Sequence, residues 1–497
     1  MRDEASNEID HQTALSDSCL IKQDRFSSHE TGYEKKLKPR HIQMIAMGGA
    51  IGTGLFLGAG GRLQSAGPSL AVVYLVCGVF AFFIMRALGE LVMYRPTTGS
   101  FASYTREFMG EHASFVAGWM YYLIWAATGI ADITAIAIYV KYWTVFSDVP
   151  QWSIALVALA FVSITNMIGV KVFGEMEFWF SLIKVSAIVL FLIVGTIFLA
   201  SGHPVAGHAP GLGLITARGG VFPHGILPAV LIVQGVVFAY ASIELVGVAA
   251  GETEDPRKIL PKAINSVMWR IALFYVGSIV LLVTLMPWTA YNAHESPFVT
   301  FFGKLGVPYA DSMMNVVVLT AALSSLNSGL YSTGRVLRSL AMGGSAPRFV
   351  ARMSTKGVPY GGIVMTVSLI AIGIPLNYIV PAQAFEIVLN VASIGVITTW
   401  ASIVVCQILF RRAVNRGELP GVSFRMPGAP FTSWLTLAFL AAVLVLMACD
   451  YPDGTMTIAL IPALAVGLAL GWRLAKRRAS PSASQRVGLE IRTQDPV

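Results

Sequence analysis

Stretches of roughly 20 mostly apolar residues recur along the chain at 42–63, 70–91, 114–142, 152–172, 178–200, 226–250, 266–287, 313–342, 360–379, 385–409, 433–449 and 455–475. About 20 such residues are what one membrane-crossing helix requires. A closed barrel would instead show alternating segments of about ten residues, and none occur. The pattern therefore predicts an all-α integral membrane protein with twelve transmembrane helices. The flanks at 1–38 and 476–497 are polar and charged. They read as disordered cytoplasmic tails around a membrane domain at 39–475, and the first has no apolar core like that of a cleaved signal peptide.

Composition sharpens the picture. Of 497 residues, 55% are hydrophobic and only 12% charged, against about 25% charged in soluble chains. The net charge of +8 would hint at nucleic acid in a soluble protein. Here the basic residues sit between apolar spans, so topology accounts for them and no nucleic-acid partner is expected. One set of connections carries Lys35, Lys36, Lys38 and Arg40, then Arg95 and Arg106, Lys171, Arg257, Lys258 and Lys262. The same set continues with Arg348, Arg352 and Lys356, then Arg411, Arg412, Arg416 and Arg425, and ends with Arg473, Lys476, Arg477 and Arg478. The opposite set offers only Arg62, Lys141, Arg218 and Lys304. With twelve spans this bias alternates consistently and places both termini in the cytoplasm, in an inner (plasma) membrane. The four cysteines show no CxxC or Cys/His metal spacing, and they read as reduced small hydrophobes.

Two spans are internally odd. The first contains GGAIGTGLFLGAGG, seven glycines (48, 49, 52, 54, 58, 60 and 61) in fourteen residues. Glycine lets the backbone leave helical geometry and lets a ligand approach closely. Unwinding exposes N–H groups at the start of the next half-helix, where they suit a carboxylate. Close helix packing of the GxxxG kind is the rival explanation. The sixth span contains FAYASIELVGVAAGE, with Glu244 inside an apolar run. A carboxyl at that depth should face the bundle interior, paired or protonated, and it could equally serve as a structural buried carboxyl bonding the broken backbone. The first and sixth spans hold matching positions in two five-span halves. Interrupted helices so placed are the best sequence pointer to an inverted-repeat transporter site.

Other buried polar residues are candidates. Asp132, in WAATGIADITAIAIYV of span 3, could receive an amino group or a polar side chain of a substrate, or could simply bond neighbouring hydroxyls. Lys184, in EFWFSLIKVSAIVLF of span 5, could titrate as a proton carrier. Its place only about two turns from the expected span start slightly favours snorkelling to the cytoplasmic edge. Span 8 is dense in polar groups, and helical spacing puts Ser324, Asn327, Ser328 and Tyr331 on one face. Asn390 in span 10 is a weaker candidate. No GxSxG, HExxH or metal-spaced cluster appears, so neither an enzyme nor a cofactor is expected.

The run IQMIAMGGAIGTGLFLGAGGRLQSAGPSLAVVYLVCG, with ALGELVMYRPTTGSFASYTREFMG, EFWFSLIKVSAI, GVVFAYASIELVGVAAGETEDPRKILPKAI and TAALSSLNSGLYSTGRVLRSLA, resembles the bacterial amino-acid transporter branch of the amino acid–polyamine–organocation superfamily. The likeness covers residues 33–475. Within that branch, GWMYYLIWAATGIADITAIAIYVKYW, MEFWFSLIKV, VPQW and SPFVTFFGKLGVPY look like its asparagine-carrying group, as does Asp132 where other members have Glu. The resemblance implies two inverted five-helix repeats plus two further helices. It implies that Gly52, Thr53 and Gly54 offer amides to a substrate carboxylate. Carbonyls of Ala50, Phe238, Ala239 and Ala241 would accept the α-ammonium, with Phe238 as an aromatic gate. Ser324 and Asn327 are also taken as substrate-binding. Lys184 matches the span-5 lysine that, in proton-coupled members, stands where sodium sits in sodium-coupled ones, and this reverses the preference for snorkelling. The expected activity is proton-driven import of a small amino acid, asparagine foremost. Aspartate or another amino acid, or an amino-acid sensor with little transport, remain alternatives.

Overall fold

The computed structural model describes residues 33, 36–49, 51–253, 255–292, 295–375, 384–451 and 453–478. Among them the chain is helical throughout, with no strand beyond two isolated bridges. Ala50 and most of both tails lie outside the described residues, as does the side chain of Asn390.

Eight described helices are long and apolar enough to cross a membrane. The first span is instead built in pieces. Helix α1 (Pro39–Gly48) ends at the glycine run, the backbone leaves helical geometry, a single turn Thr53–Phe56 follows, and α2 (Gly58–Ala66) completes the crossing. Long helices α3 (Ser69–Tyr94), α5 (Glu111–Lys141), α6 (Gln151–Ile168) and α7 (Val170–Ser201) come next. Between the first two lies α4 (Ser100–Met109), a short helix that the hydropathy pattern did not reveal because its apolar face is only ten residues long.

The sixth span is broken as well. It runs as short segments to α8 (Val233–Ala239), is non-helical through 240–244, and resumes as α9 (Leu245–Ala249). The connection α10 (Pro256–Asn265) leads to a seventh span that contains a π-helical stretch at Ile271–Gly277 before α11 (Ser278–Leu285). The remaining long elements are α12 (Ala310–Met342), α13 (Tyr360–Ile370), α14 (Ala384–Asn415), α15 (Phe431–Cys449) and α16 (Ile461–Arg478).

Burial separates a core from a rim. Most of the apolar length of α5, α12 and α14 is covered by other helices, whereas the last crossing has none of its apolar window buried. Because lipid is as apolar as leucine, an uncovered apolar helix is tolerated here where water would exclude it. The two broken spans lie inside this frame, with Ile51, Leu55, Phe56, Val236, Val237 and Ile243 all buried. Backbone that has left helical geometry at membrane depth is tolerated only when protein or a wet cavity surrounds it.

Candidate functional site

The two breaks face each other. A Cβ added to Gly54 would lie 2.8 Å from Cα of Ala239, so only glycine allows this contact between the first and sixth spans. Gly52 is extended, with φ −119° and ψ −165°, and starts the Thr53–Phe56 turn. The N–H groups of Thr53 and Gly54 open that turn, where a helix supplies no carbonyl of its own. Across from them Ser242 adopts φ +78°, a left-handed conformation that costs a non-glycine residue free energy and tends to persist at functional sites.

Two side chains and one backbone N–H tie down carbonyls that the breaks release. Arg62 Nη1 donates to the carbonyl of Gly54 at 2.9 Å. The Tyr275 hydroxyl donates to the carbonyl of Ala239 at 3.2 Å, and the Phe238 carbonyl accepts the Ala241 N–H at 2.9 Å. Each carbonyl has a second lone pair to offer. Glu244 stands behind the break, where its Oε2 accepts from Trp400 Nε1 at 3.3 Å. It meets the backbone of Ser242 as well.

A narrow cavity lies between the breaks. Gly49, Gly52, Thr53 and Gly54 line it from the first span, and Phe238, Ala239, Ala241 and Ser242 from the sixth. Helix α5 adds Ile124, Trp125 and Thr128, and α12 adds Ser325. Its volume is about 20 Å³, room for roughly one water. Thr128 and Ser242 give no distinctive signal in the sequence, because a lone hydroxyl in a membrane helix resembles any other, whereas Ser325 belongs to the polar-dense run of span 8. The buried Thr128 hydroxyl has no hydrogen-bond partner among the described residues.

Asp132 is fully buried behind this lining. Its Oδ1 accepts from Thr53 Oγ1 at 3.2 Å, and Ser325 approaches it from α12. The acid thus touches the glycine-rich break through Thr53.

Ser324 and Asn327 belong to a second cluster. Lys184 is 1% exposed, and its Nζ donates to Ser324 Oγ at 2.9 Å. Ser324 in turn donates to Oε1 of Glu177 at 2.7 Å. Asn327 Nδ2 reaches Glu177 Oε2 at 3.4 Å, while its own Oδ1 accepts from Asn166 at 2.7 Å. Lys184 does not snorkel: α7 starts at Val170, eight residues before the expected edge of the span, which places Lys184 about four turns inside it. The same early start buries Glu177 completely, although hydropathy alone sets the span edge just after it. Its signal was present, since Glu177, Ser181 and Lys184 share one helical face, and Ser181 Oγ lies 3.3 Å from Glu177 Oε1. Among the described residues no group of His, Cys, Asp and Glu could hold a metal ion.

The sequence of this multi-pass helical membrane protein matches a known family. Residues 41–476 match the amino acid permease family, and the chain belongs to it. Among individual relatives, the chain is 66% identical to the L-asparagine permease of Salmonella typhimurium over 91% of both chains. It is 63% identical to the L-asparagine permease of Escherichia coli over 94% of both. Identity to the L-asparagine permease of Streptomyces coelicolor is 59%, over 92% of this chain and 93% of that one.

Proposed function

We propose that the protein imports L-asparagine across the inner membrane by proton symport with alternating access. The observation that carries this reading is the pair of facing breaks, which encloses backbone donors, backbone acceptors and the Thr128 hydroxyl in one cavity. The names of the relatives point to the substrate. Thr53 and Gly54 amides, with Gly52, receive the carboxylate. Carbonyls of Ala50, Phe238, Ala239 and Ala241 receive the α-ammonium, and Phe238 closes over it. Thr128 and Ser325 face the side-chain amide, with Asp132 behind them to orient Thr53. A carboxylate so close to the pocket disfavours an acidic substrate. Ser324 and Asn327, turned to Lys184 and Glu177 and absent from the cavity lining, serve proton coupling and not the substrate directly.

A cavity with room for about one water cannot take an amino acid, so the breaks must part before substrate enters. That requirement is what alternating access supplies. Eight long helices, three shorter apolar ones and the broken first span support a count of twelve crossings, and the matched positions of the breaks support two inverted repeats. The basic residues support cytoplasmic termini, with the permease domain at 39–475 between tails at 1–38 and 476–497.

Uptake of labelled asparagine into proteoliposomes under an imposed pH gradient, acid outside, tests the proposal. Accumulation that unlabelled asparagine suppresses more strongly than unlabelled aspartate is expected. Absence of uptake under every imposed gradient would contradict it and leave a sensor.

A further inference from the structure

Lys184, Ser324 and Glu177 form an ordered chain of hydrogen bonds inside the protein, and its geometry has a direction. The ammonium donates to the serine oxygen at 2.9 Å, and the serine hydroxyl donates onward to the carboxylate at 2.7 Å. Serine is the one member that can accept and donate at once. All three side chains are buried, none more than 1% exposed. Glu177 lies seven residues nearer the start of α7 than Lys184, about 10 Å along the axis. That end adjoins Lys171 and, on α1, Arg40 and His41, which both meet Glu175. On the orientation given by the basic connections, it is the cytoplasmic end.

Among the described residues, helix α12 brings Ser324 and Asn327 to Glu177, and α6 brings Asn166 next to Asn327. Helix α5 brings Asp132, which interacts with Lys184. Further along α12, Arg335 is held by Glu252. From α1, Arg40 and His41 are occupied with Glu175.

We propose that Ser324 and Glu177 form the inward proton exit from Lys184. This rests on the symport reading given above and extends it to residues that reading does not assign. In the step, a Lys184 N–H bond breaks as Ser324 Oγ takes the proton, while the Ser324 O–H bond breaks and its own proton passes to Glu177 Oε1. Lys184 becomes a neutral amine, Ser324 is unchanged, and Glu177 becomes a neutral carboxylic acid. Buried opposite charges are thereby replaced by two neutral groups, and this removes the desolvation cost that a broken buried pair would carry. Glu177 then releases the proton to cytoplasmic water, and Lys184 regains one from the outer side, which the gradient supplies.

The test compares two activities of the same full-length protein in proteoliposomes. Accumulation of labelled asparagine under a pH gradient needs net proton movement, whereas counterflow against internal unlabelled asparagine does not. For one proton per substrate, a one-unit gradient sustains about tenfold accumulation in the unaltered protein. Ser324→Ala and Glu177→Gln are expected to lose that accumulation while counterflow persists. Ser324→Thr and Glu177→Asp, which restore the hydroxyl and the carboxylate, are expected to regain it. Full accumulation by Ser324→Ala and Glu177→Gln would overturn the proposal. So would loss of counterflow together with accumulation in all four variants, which would mark the cluster as packing alone. If the unaltered protein itself fails to accumulate asparagine, the symport reading falls as well, and the two failures are thereby told apart.

Discussion

Helix α12 takes part in two buried charge clusters about 16 Å apart along its axis, and they are built on different principles. At Arg335 the guanidinium meets Glu252 directly, with Nε at 2.5 Å and Nη2 at 3.1 Å from its two oxygens. It also lies 3.5 Å over the Tyr331 ring and donates to the Tyr331 carbonyl at 2.9 Å. At Ser324 a lysine and a glutamate are joined through a hydroxyl. A guanidinium does not lose its proton in proteins, and its planar fork fixes geometry. An ammonium can become neutral, and a bridging hydroxyl lets its proton move. The first cluster is a lock between α12 and the C-terminal end of the sixth span; the second is suited to handling a proton. A second lock repeats the first pattern, where Arg411 forks onto Glu90 at 2.7 and 3.1 Å.

Breaking the lock should have the largest effect on stability. Arg335→Gln removes the guanidinium that faces the buried Glu252 carboxylate, and breaking a buried ion pair costs about 3–5 kcal/mol. The expected outcome is a clearly lower thermal unfolding midpoint in detergent, with the accumulation ratio unchanged in whatever protein folds. A lost ratio at normal stability would place Arg335 in coupling and erase the distinction between the clusters. Gly54→Val probes the cavity, away from both clusters. Its side chain would meet Ala239, so the breaks should be held apart and asparagine affinity should fall by about tenfold or more, or about 1.4 kcal/mol. Competition binding measures this, and unaltered affinity would sink the account of the facing breaks.

Parts of this arrangement were legible in the sequence for physical reasons. Seven glycines and a carboxyl in apolar runs conflict with continuous membrane helices, so the breaks near Gly52 and Glu244 announced themselves. The apolar period located the long helices, because lipid imposes the same requirement on each. Glu177 escaped because hydropathy places a span edge wherever a charge appears, while the real edge was set by Gly169, whose φ of +155° starts α7 earlier. Lys184 looked close to that edge for the same reason. Ser325 and Thr128 could not be told from other hydroxyls until α5 and α12 were placed against the breaks, and the turn from Ser324 to Ser325, one toward the cluster and one toward the cavity, is a matter of packing.

If proton symport runs through the second cluster, its lysine must be able to lose its proton. The direct measurement is gradient-driven accumulation and counterflow of labelled asparagine by Lys184→Arg in proteoliposomes. Arginine keeps the positive charge and cannot deprotonate. Counterflow without accumulation is the predicted result, and accumulation equal to that of the unaltered protein would contradict the account.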